Sequence, residues 1–259
     1  MLTTDSAMPK SSRAGRSAQN DASKKITGYT FSPPEPSTLP VAGSSVVFPV
    51  GRVYCIGRNY RWNQYKGVEP QEMPPWFMKP ASAAVPACGA LPYPPSTQDF
   101  CHEIELVVAI GVGGRNLQAQ DVEPLHIWGY TVGLDLTRRD LQQIAKRSGE
   151  PWEAAKAFDH SAPCTPIVPV SVCGHPRQAA IWLSVNGIER QRSDLSDLIW
   201  SVPELVAMLS RSVTLQPGDL IFTGTPAGVG ALQIGDVVSG GVTGIGEFTV
   251  SISQLEATP

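Results

Sequence analysis

The segment His102–Ile110 places two glutamates, Glu103 and Glu105, at the start of an apolar run rich in β-branched residues. Alternate side chains of a β-strand share one face, so both carboxylates are predicted to project to the same side. At about 5 Å and an effective dielectric constant of about 20, the two charges repel by about 3 kcal/mol. Such a pair needs a proton, a basic partner or a cation, and carboxylate oxygens suit Mg²⁺, Mn²⁺ and Ca²⁺. The segment is therefore either a metal site or an edge strand with a solvated acidic face.

The composition disfavours several classes of function. The net charge is -3, and no cluster of Lys and Arg alternates with aromatic residues, so we expect no nucleic-acid partner. The five cysteines are odd in number and lack CxxC spacing, which favours a reducing compartment and a cytoplasmic protein. No apolar run approaches the roughly 18 residues that span a bilayer, so no membrane association is expected.

The chain is predicted to have a tail, a packing segment and a main domain. Residues 1–25 are rich in Ser, Ala, Lys and Arg, with one Leu among the large aliphatic residues, so they are predicted to be disordered. Two aspartates and the lack of an amphipathic period disfavour a transit peptide there. Residues 26–52 are predicted to be extended and to pack on the core of the main domain, residues 53–259. Residues 58–75 show neither helix nor strand periodicity and form a candidate lid.

Turn and helix signals predict a β-rich α+β domain with a few helices. Asn186-Gly187 between two strand-like segments predicts a hairpin with a type I′ turn. Ser201 and Glu204 predict a capping box that opens a helix. The glycine-rich segment 224–230 is either a turn or an anion-binding loop, and it lacks the Gly-Lys-Ser/Thr signature of a nucleotide loop.

A second helix is predicted after residue 137. Thr137 and Asp140 have the spacing of a capping box, and Leu141, Ile144 and Ala145 are predicted to share the buried face. The strand-like segment before this helix ends at residue 135.

Asp135 therefore lies between a strand and a helix N-terminus, where a negative charge is tolerated. This position makes Asp135 the natural third oxygen ligand beside Glu103 and Glu105.

Eight short segments are spread over most of the chain, between about residues 28 and 251. No single segment is decisive, but the eight in this order are a specific combination. They are Cys55-Ile-Gly-Arg-Asn-Tyr60, Phe77-Met-Lys79, His102-Glu-Ile-Glu-Leu106, Gly129-Tyr-Thr-Val-Gly-Leu-Asp135, Arg139-Asp-Leu-Gln142, Lys156-Ala-Phe-Asp159, Val185-Asn-Gly187 and Pro217-Gly-Asp-Leu-Ile-Phe-Thr-Gly-Thr-Pro226. In these segments the sequence resembles the fumarylacetoacetate hydrolase family, and most of all its bacterial fumarylpyruvate or acylpyruvate hydrolase branch.

The resemblance implies a mixed β-sandwich roll of the family's C-terminal-domain type, usually a homodimer, in which residues 53–259 are catalytic. It also implies Mg²⁺, or Mn²⁺ or Ca²⁺, held by carboxylates matching Glu103, Glu105 and Asp135. The implied reaction, part of aromatic catabolism, is hydrolysis of a carbon-carbon bond in a β-diketo acid such as fumarylpyruvate or another acylpyruvate. The resemblance implies that the metal would act as a Lewis acid on the keto acid while water attacks the distal carbonyl.

The resemblance assigns roles to five further residues. Lys156 matches a lysine that compensates carboxylate charge and orients the water or oxyanion, and Gln142 matches a supporting or substrate contact. Arg58, Lys79 and Thr225 match substrate-binding positions, where a cationic side chain suits a dicarboxylate.

One departure concerns the candidate lid. The hydrolase branch carries a histidine and a glutamate that activate water, and the matching positions here are Asn63 and Lys66. Three interpretations follow. The protein is a hydrolase that uses Lys156, a metal-bound hydroxide or a lid group such as Glu69 or Tyr65. Alternatively, it is an isomerase or decarboxylase of a 2-keto acid, or it binds a metal and a keto acid without catalysis.

The lid departure generates a prediction. Asn63→His combined with Lys66→Glu should raise acylpyruvate hydrolysis, up to the roughly 100-fold that a positioned base contributes. The rate is followed through the ultraviolet enol band of acetylpyruvate with Mg²⁺ present. An unchanged rate would mean that the lid serves another purpose.

Overall fold

The computed structural model describes residues 28–61 and 73–255 of the chain. The predicted tail, the C-terminal four residues and the lid positions Asn63 and Lys66 lie outside these ranges, so their roles stay predictions. The chain divides into two units, Met1–Glu35 and Pro36–Pro259.

The described part of Pro36–Pro259 is built mainly of β-strands in four sheets. The strands are β1 (Thr38–Pro40), β2 (Val47–Pro49), β3 (Val53–Ile56), β4 (Trp76–Lys79), β5 (Ala84–Pro86), β6 (Gly89–Pro92), β7 (Phe100–His102), β8 (Ile104–Ile110), β9 (Ile127–Leu134), β10 (Thr137–Arg138), β11 (Ala162–Cys164), β12 (Val168–Pro169), β13 (Ala180–Val185), β14 (Ile188–Asp194), β15 (Leu220–Phe222), β16 (Gly230–Ala231), β17 (Val237–Val242) and β18 (Gly246–Ser253).

The helices are short and connect these strands. The α-helices are α1 (Ala119–Leu125), α2 (Arg139–Ser148), α3 (Glu153–Lys156), α4 (Val170–Cys173) and α5 (Val202–Ser212), with 3₁₀ turns at Ala81–Ala83 and Leu195–Asp197. None of these described helices is long and apolar enough to cross a membrane.

The two larger sheets are mixed. The eight-stranded sheet has the order β4-β3-β15-β8-β9-β11-β5, with β12 paired to β9, and the five-stranded sheet has the order β14-β13-β17-β18-β6. The pairs β3–β15, β5–β11 and β6–β18 are parallel, and the other pairs in these sheets are antiparallel. A three-stranded sheet, β10-β7-β16, and the hairpin β1–β2 complete the fold. The predicted β-rich α+β class is confirmed.

Strand β8 is buried on both faces, and its successive side chains point alternately to two different apolar clusters. Leu106 and Val108 belong to the core shared with the five-stranded sheet and α5. Val107 and Ala109 pack on the other face, in a cluster that also contains residues of β1 and β2. Glu105 shares this second face by its position in the strand. Burying each large apolar side chain stabilises the fold by about 1.5–3 kcal/mol.

The hairpin and one capping box form as the sequence predicts. Asn186 and Gly187, with φ of 52° and 76°, connect β13 to β14. The backbone N–H of Ser201 donates to Glu204 Oε2 at 2.8 Å at the start of α5.

The second capping box is wrong. Helix α2 is capped at Arg138, and the Thr137 hydroxyl donates to the Asp135 carbonyl oxygen instead. Asp140 accepts hydrogen bonds from the Thr97 hydroxyl and the Gln98 backbone N–H, at 2.6 and 2.9 Å. Thr137 lies in β10, whose pairing with β7 takes precedence over the local capping signal.

The predicted inner face of α2 is also wrong in part. Ile144 is 48% exposed, whereas Gln142 is buried with Ala145. Likewise, the predicted continuous strand through Glu103 is interrupted there, between β7 and β8.

Packing behind the acidic strand gives a stability prediction. A Cβ atom on Gly133, which pairs with Glu105, would lie 2.6 Å from Phe222 Cε1 and 2.9 Å from Val107 Cγ2. Gly133→Ala should therefore lower the free energy of unfolding by about 1–3 kcal/mol, measured by urea denaturation. Gly28→Ala is the control, because no atom of the described residues lies within 4 Å of its added Cβ. Equal stability of the two variants would contradict this close packing.

Candidate active site

Three carboxylates meet where β8 begins and β9 ends. The two strands are antiparallel, Ile104 pairs with Leu134, and the Asp135 N–H donates to the Glu103 carbonyl oxygen at 2.8 Å. One carboxylate oxygen from each of Glu103, Glu105 and Asp135 lies within 4.8 Å of the others, and all three side chains are buried. The strand ladder thus brings together the three residues that the sequence predicts as metal ligands.

Cationic side chains neutralise two of these carboxylates. Lys156 Nζ lies 2.8 Å from Glu103 Oε2 and 2.7 Å from Asp135 Oδ2, and Arg139 Nη2 lies 2.6 Å from Glu103 Oε1. Burial alone would raise the pKa of Asp135, but Lys156 and Lys79 reverse this effect and hold it below its usual value. Burial opposes the charge of Lys156, yet Asp135 and Glu103 raise the pKa of its ammonium group.

Lys79 lies beneath the cluster. Its Nζ is 2.9 Å from Asp135 Oδ1, in an orientation without a hydrogen bond, and it donates to the carbonyl oxygens of Leu136 and Lys156. The side chain is fully buried and is not among the cavity-lining residues. This placement favours support of Asp135 and its neighbouring backbone over the predicted substrate contact.

Glu105 has a different environment. Its Oε2 accepts a hydrogen bond from the Gly224 backbone N–H at 2.7 Å, and within the described chain it forms no ion pair. Burial, together with the charges of Asp135 and Glu103, raises the pKa of Glu105 well above its usual value. A buried carboxylate without its own cation, beside two others, is suited to a divalent metal ion.

The glycine-rich loop holds this carboxylate in place. Gly224 has a φ of 102°, and a Cβ there would lie 2.9 Å from Asn59 Cβ. Asn59 in turn donates to the carbonyl oxygens of Thr223 and Trp200 at 2.9 and 3.1 Å. One backbone amide of this loop, that of Gly224, thus holds the carboxyl group of Glu105.

A buried hydrogen-bond network joins this loop to the acidic strand through Gln191, which is fully buried in β14. Gln191 Oε1 accepts from the Ile104 backbone N–H at 3.2 Å and lies 2.9 Å from His102 Nδ1. Its Nε2 donates to the Thr225 hydroxyl and the Pro226 carbonyl oxygen, at 2.8 and 2.9 Å. All four hydrogen-bonding positions of the amide are thus used. Sequence reasoning missed Gln191, because its partners are 34 to 89 residues away.

A cavity of about 530 Å³ opens onto the carboxylates. Of the predicted residues, Arg58, Gln142, Lys156 and Thr225 line it together with the three acids. Sequence reasoning assigned no role to several other lining residues, namely Phe77, Arg139, Lys146 and Trp152. The sequence could have identified Arg139, because it lies one helical turn before Gln142 on the same helix face.

Comparison with known proteins finds relatives that match most of the chain. Residues 52–253 match the family model described as fumarylacetoacetate (FAA) hydrolase C-terminal. A fumarylpyruvate hydrolase of a Ralstonia species is 42% identical over 70% of this chain and 93% of its own length. An oxaloacetate tautomerase of Escherichia coli K12 is 40% identical over 75% of this chain and 89% of its own.

A solved structure extends the comparison. The fumarylpyruvate hydrolase of Pseudomonas aeruginosa in complex with Mn²⁺ and pyruvate superposes with a TM-score of 0.84 at 49% identity, over 88% of this chain and all of that one. The chain therefore belongs to the fumarylacetoacetate hydrolase family of enzymes.

The Gln191 network gives a testable consequence. Gln191→Leu leaves the Ile104 N–H and His102 Nδ1 buried without partners. The free energy of unfolding should therefore fall by at least about 2 kcal/mol. Gln233→Leu, at an exposed position, is the control. Urea denaturation measures both variants, and a Gln191→Leu protein as stable as the control would show that the network contributes little.

Proposed function

We propose that this enzyme hydrolyses a carbon-carbon bond of an acylpyruvate, such as fumarylpyruvate, with a divalent metal ion. The carrying observation is the buried cluster of Glu103, Glu105 and Asp135 at the base of the cavity. Its support is the 42% and 49% identity to fumarylpyruvate hydrolases, one of them solved with Mn²⁺ and pyruvate.

The residues present fit a divalent cation. Glu103, Glu105 and Asp135 would hold it through oxygen atoms, the ligand type of Mn²⁺ and Mg²⁺, and Ca²⁺ is also accommodated by such a set. Glu105 supplies the charge that no protein cation in the described chain pairs with. When bound, the cation would supply Lewis-acid stabilisation of the negative charge that develops on the keto acid.

Lys156 acts as a fixed positive charge. Its ammonium group is buried, donates to Glu103 and Asp135, and has a raised pKa, so it keeps its proton at neutral pH. It therefore orients carboxylates and donates hydrogen bonds, and it is unsuited to the proton-accepting role considered for it in the sequence. The candidates that remain among side chains, Glu69 and Tyr65, lie outside the described residues.

Gln142 and Thr225 are constrained in what they offer a ligand. Gln142 Oε1 accepts from Arg139 Nη1 at 2.6 Å and lies 3.3 Å from Lys146 Nζ, which fixes the orientation of the amide. Its NH₂ group is then the part available to a substrate oxygen. The Thr225 hydroxyl donates to the Ile104 carbonyl oxygen and accepts from Gln191, so its proton is already committed.

A second candidate function is tautomerisation of oxaloacetate or a related isomerase or decarboxylase reaction. The E. coli oxaloacetate tautomerase is 40% identical, close to the identity of the Ralstonia hydrolase. Asn63 in place of a histidine also favours a reaction that stabilises an enolate without activating water. The predicted homodimer and cytoplasmic location stay predictions.

The deciding experiment assays the purified protein with Mn²⁺ or Mg²⁺ on fumarylpyruvate, acetylpyruvate and oxaloacetate. Hydrolysis predicts loss of the acylpyruvate enol band with release of pyruvate, and a metal chelator should abolish it. If acylpyruvates stay intact while enol and keto oxaloacetate interconvert faster, the tautomerase replaces the hydrolase.

Removing the charge of Glu105 tests the metal assignment. Glu105→Gln should abolish both activity and the Mn²⁺-dependent rise in melting temperature, because one ligand is lost. Without metal its melting temperature should equal or exceed that of the wild type, since a buried carboxylate without its own cation has been removed. Glu247→Gln, at an exposed position, is the control. An undiminished Mn²⁺ response in Glu105→Gln would contradict the assignment.

A further inference from the structure

Lys146 lies at the cavity without an acidic partner in the described part of the chain. Helix α2 presents it one turn after Gln142, and its Nζ is 3.3 Å from Gln142 Oε1 and 5.0 Å from the centre of the Trp152 ring. Both contacts are with neutral groups. Burial, followed by the positive charge of Arg139, lowers the pKa of Lys146, and an anion beside the ammonium group would stabilise its charged form.

Two aromatic rings connect this lysine with the carboxylate cluster. Phe77 and Trp152 both line the cavity, with ring centres 5.9 Å apart and planes inclined by 53°. Lys156 Nζ lies 5.0 Å from the Phe77 ring centre, and Lys146 Nζ lies 5.0 Å from the Trp152 ring centre. The wall thus runs from an ammonium group at the acidic cluster to a second ammonium group at Trp152. A flat apolar chain suits such a wall.

The other cations that line the cavity differ in whether they are paired with an acidic side chain. The guanidinium of Arg139 is occupied by Glu103 and Gln142. Arg58 also lines the cavity, and its charge contributes to lowering the pKa of Lys146. Within the described chain, Lys146 and Arg58 therefore form no ion pair, although Glu103 acts on Lys146 from a distance, whereas Arg139 is paired with Glu103.

We propose that Lys146, supported by Trp152, binds the distal carboxylate of the substrate and selects acyl groups that end in a carboxylate. This inference rests on the proposed function, since the near end of the same ligand is the keto acid at the carboxylate cluster. It defines the substrate class as a 2-oxo acid that carries a second carboxylate at the far end of its chain. Lys146 is thereby a specificity-determining residue.

A matched pair of stable ligands tests the inference. 2-Oxopimelate and 2-oxoheptanoate have the same seven-carbon chain and differ in the distal carboxylate, and neither has the β-dicarbonyl group needed for cleavage. With Mn²⁺ present, calorimetric titration should show the wild type preferring 2-oxopimelate. Lys146→Met should lower the affinity for 2-oxopimelate by about 10- to 100-fold, the value of a charge-assisted hydrogen bond. The affinity for 2-oxoheptanoate should change less than twofold.

Two further variants complete the design. Lys146→Arg should keep most of the preference because it keeps the charge. Arg147→Met removes a cation from the next position of α2, which is exposed and not among the cavity-lining residues, and should bind both ligands as the wild type does.

The outcomes separate this inference from the proposed function. If Lys146→Met lowers the affinity for both ligands equally, the lysine acts by orienting Gln142. If the preference for 2-oxopimelate is unchanged, the lysine does not contact the distal carboxylate. Either result overturns the inference. Suppose that the wild type cleaves no acylpyruvate and still prefers 2-oxopimelate, while Lys146→Met lacks this preference. In that case the hydrolase proposal fails and the role of Lys146 stands.

Discussion

The structure depends on keeping three carboxylates buried within 4.8 Å of one another. Such a cluster is unfavourable unless opposite charges or hydrogen bonds are fixed around it. Lys156 and Arg139 meet this requirement by pairing with Glu103, and Lys79 and Lys156 meet it by pairing with Asp135. Among the three acids, Glu105 alone forms no ion pair within the described chain. The charges of Glu103 and Asp135 therefore account for the burial of Lys79 and Lys156.

The elements that hold these groups come from distant parts of the chain. Strand β8 supplies Glu105, β9 leads to Asp135, β4 ends at Lys79, and the loop after β15 supplies the Gly224 amide. The eight-stranded sheet places β4, β3, β15, β8 and β9 side by side, so its central order determines the site. Gln191 connects this sheet to the five-stranded sheet, and thereby fixes the loop relative to the acids.

Sequence reasoning succeeded where the determining information is local or repeated along a segment. Alternation along β8 identified the face of Glu105, and Asn186-Gly187 determines its own turn. It failed where a distant partner decides the outcome. Thr137 pairs with β7 and so does not cap α2. Gln142 is buried although it is polar, because Arg139 donates a hydrogen bond to its amide oxygen. The position of Asp135 between a strand and a helix also identified it, whereas Lys156 was supplied only by the resemblance to a family.

The hydrogen bond from Gly224 to Glu105 comes from the main chain, which changes what evolution can alter at this position. A side-chain donor can be lost by one substitution, whereas every residue except proline carries a backbone N–H. The requirement thus falls on conformation, because a φ of 102° strongly favours glycine. The contact with Glu105 is therefore constrained by the backbone conformation of Gly224, whereas the next residue, Thr225, is constrained through its side chain by Gln191 and Ile104.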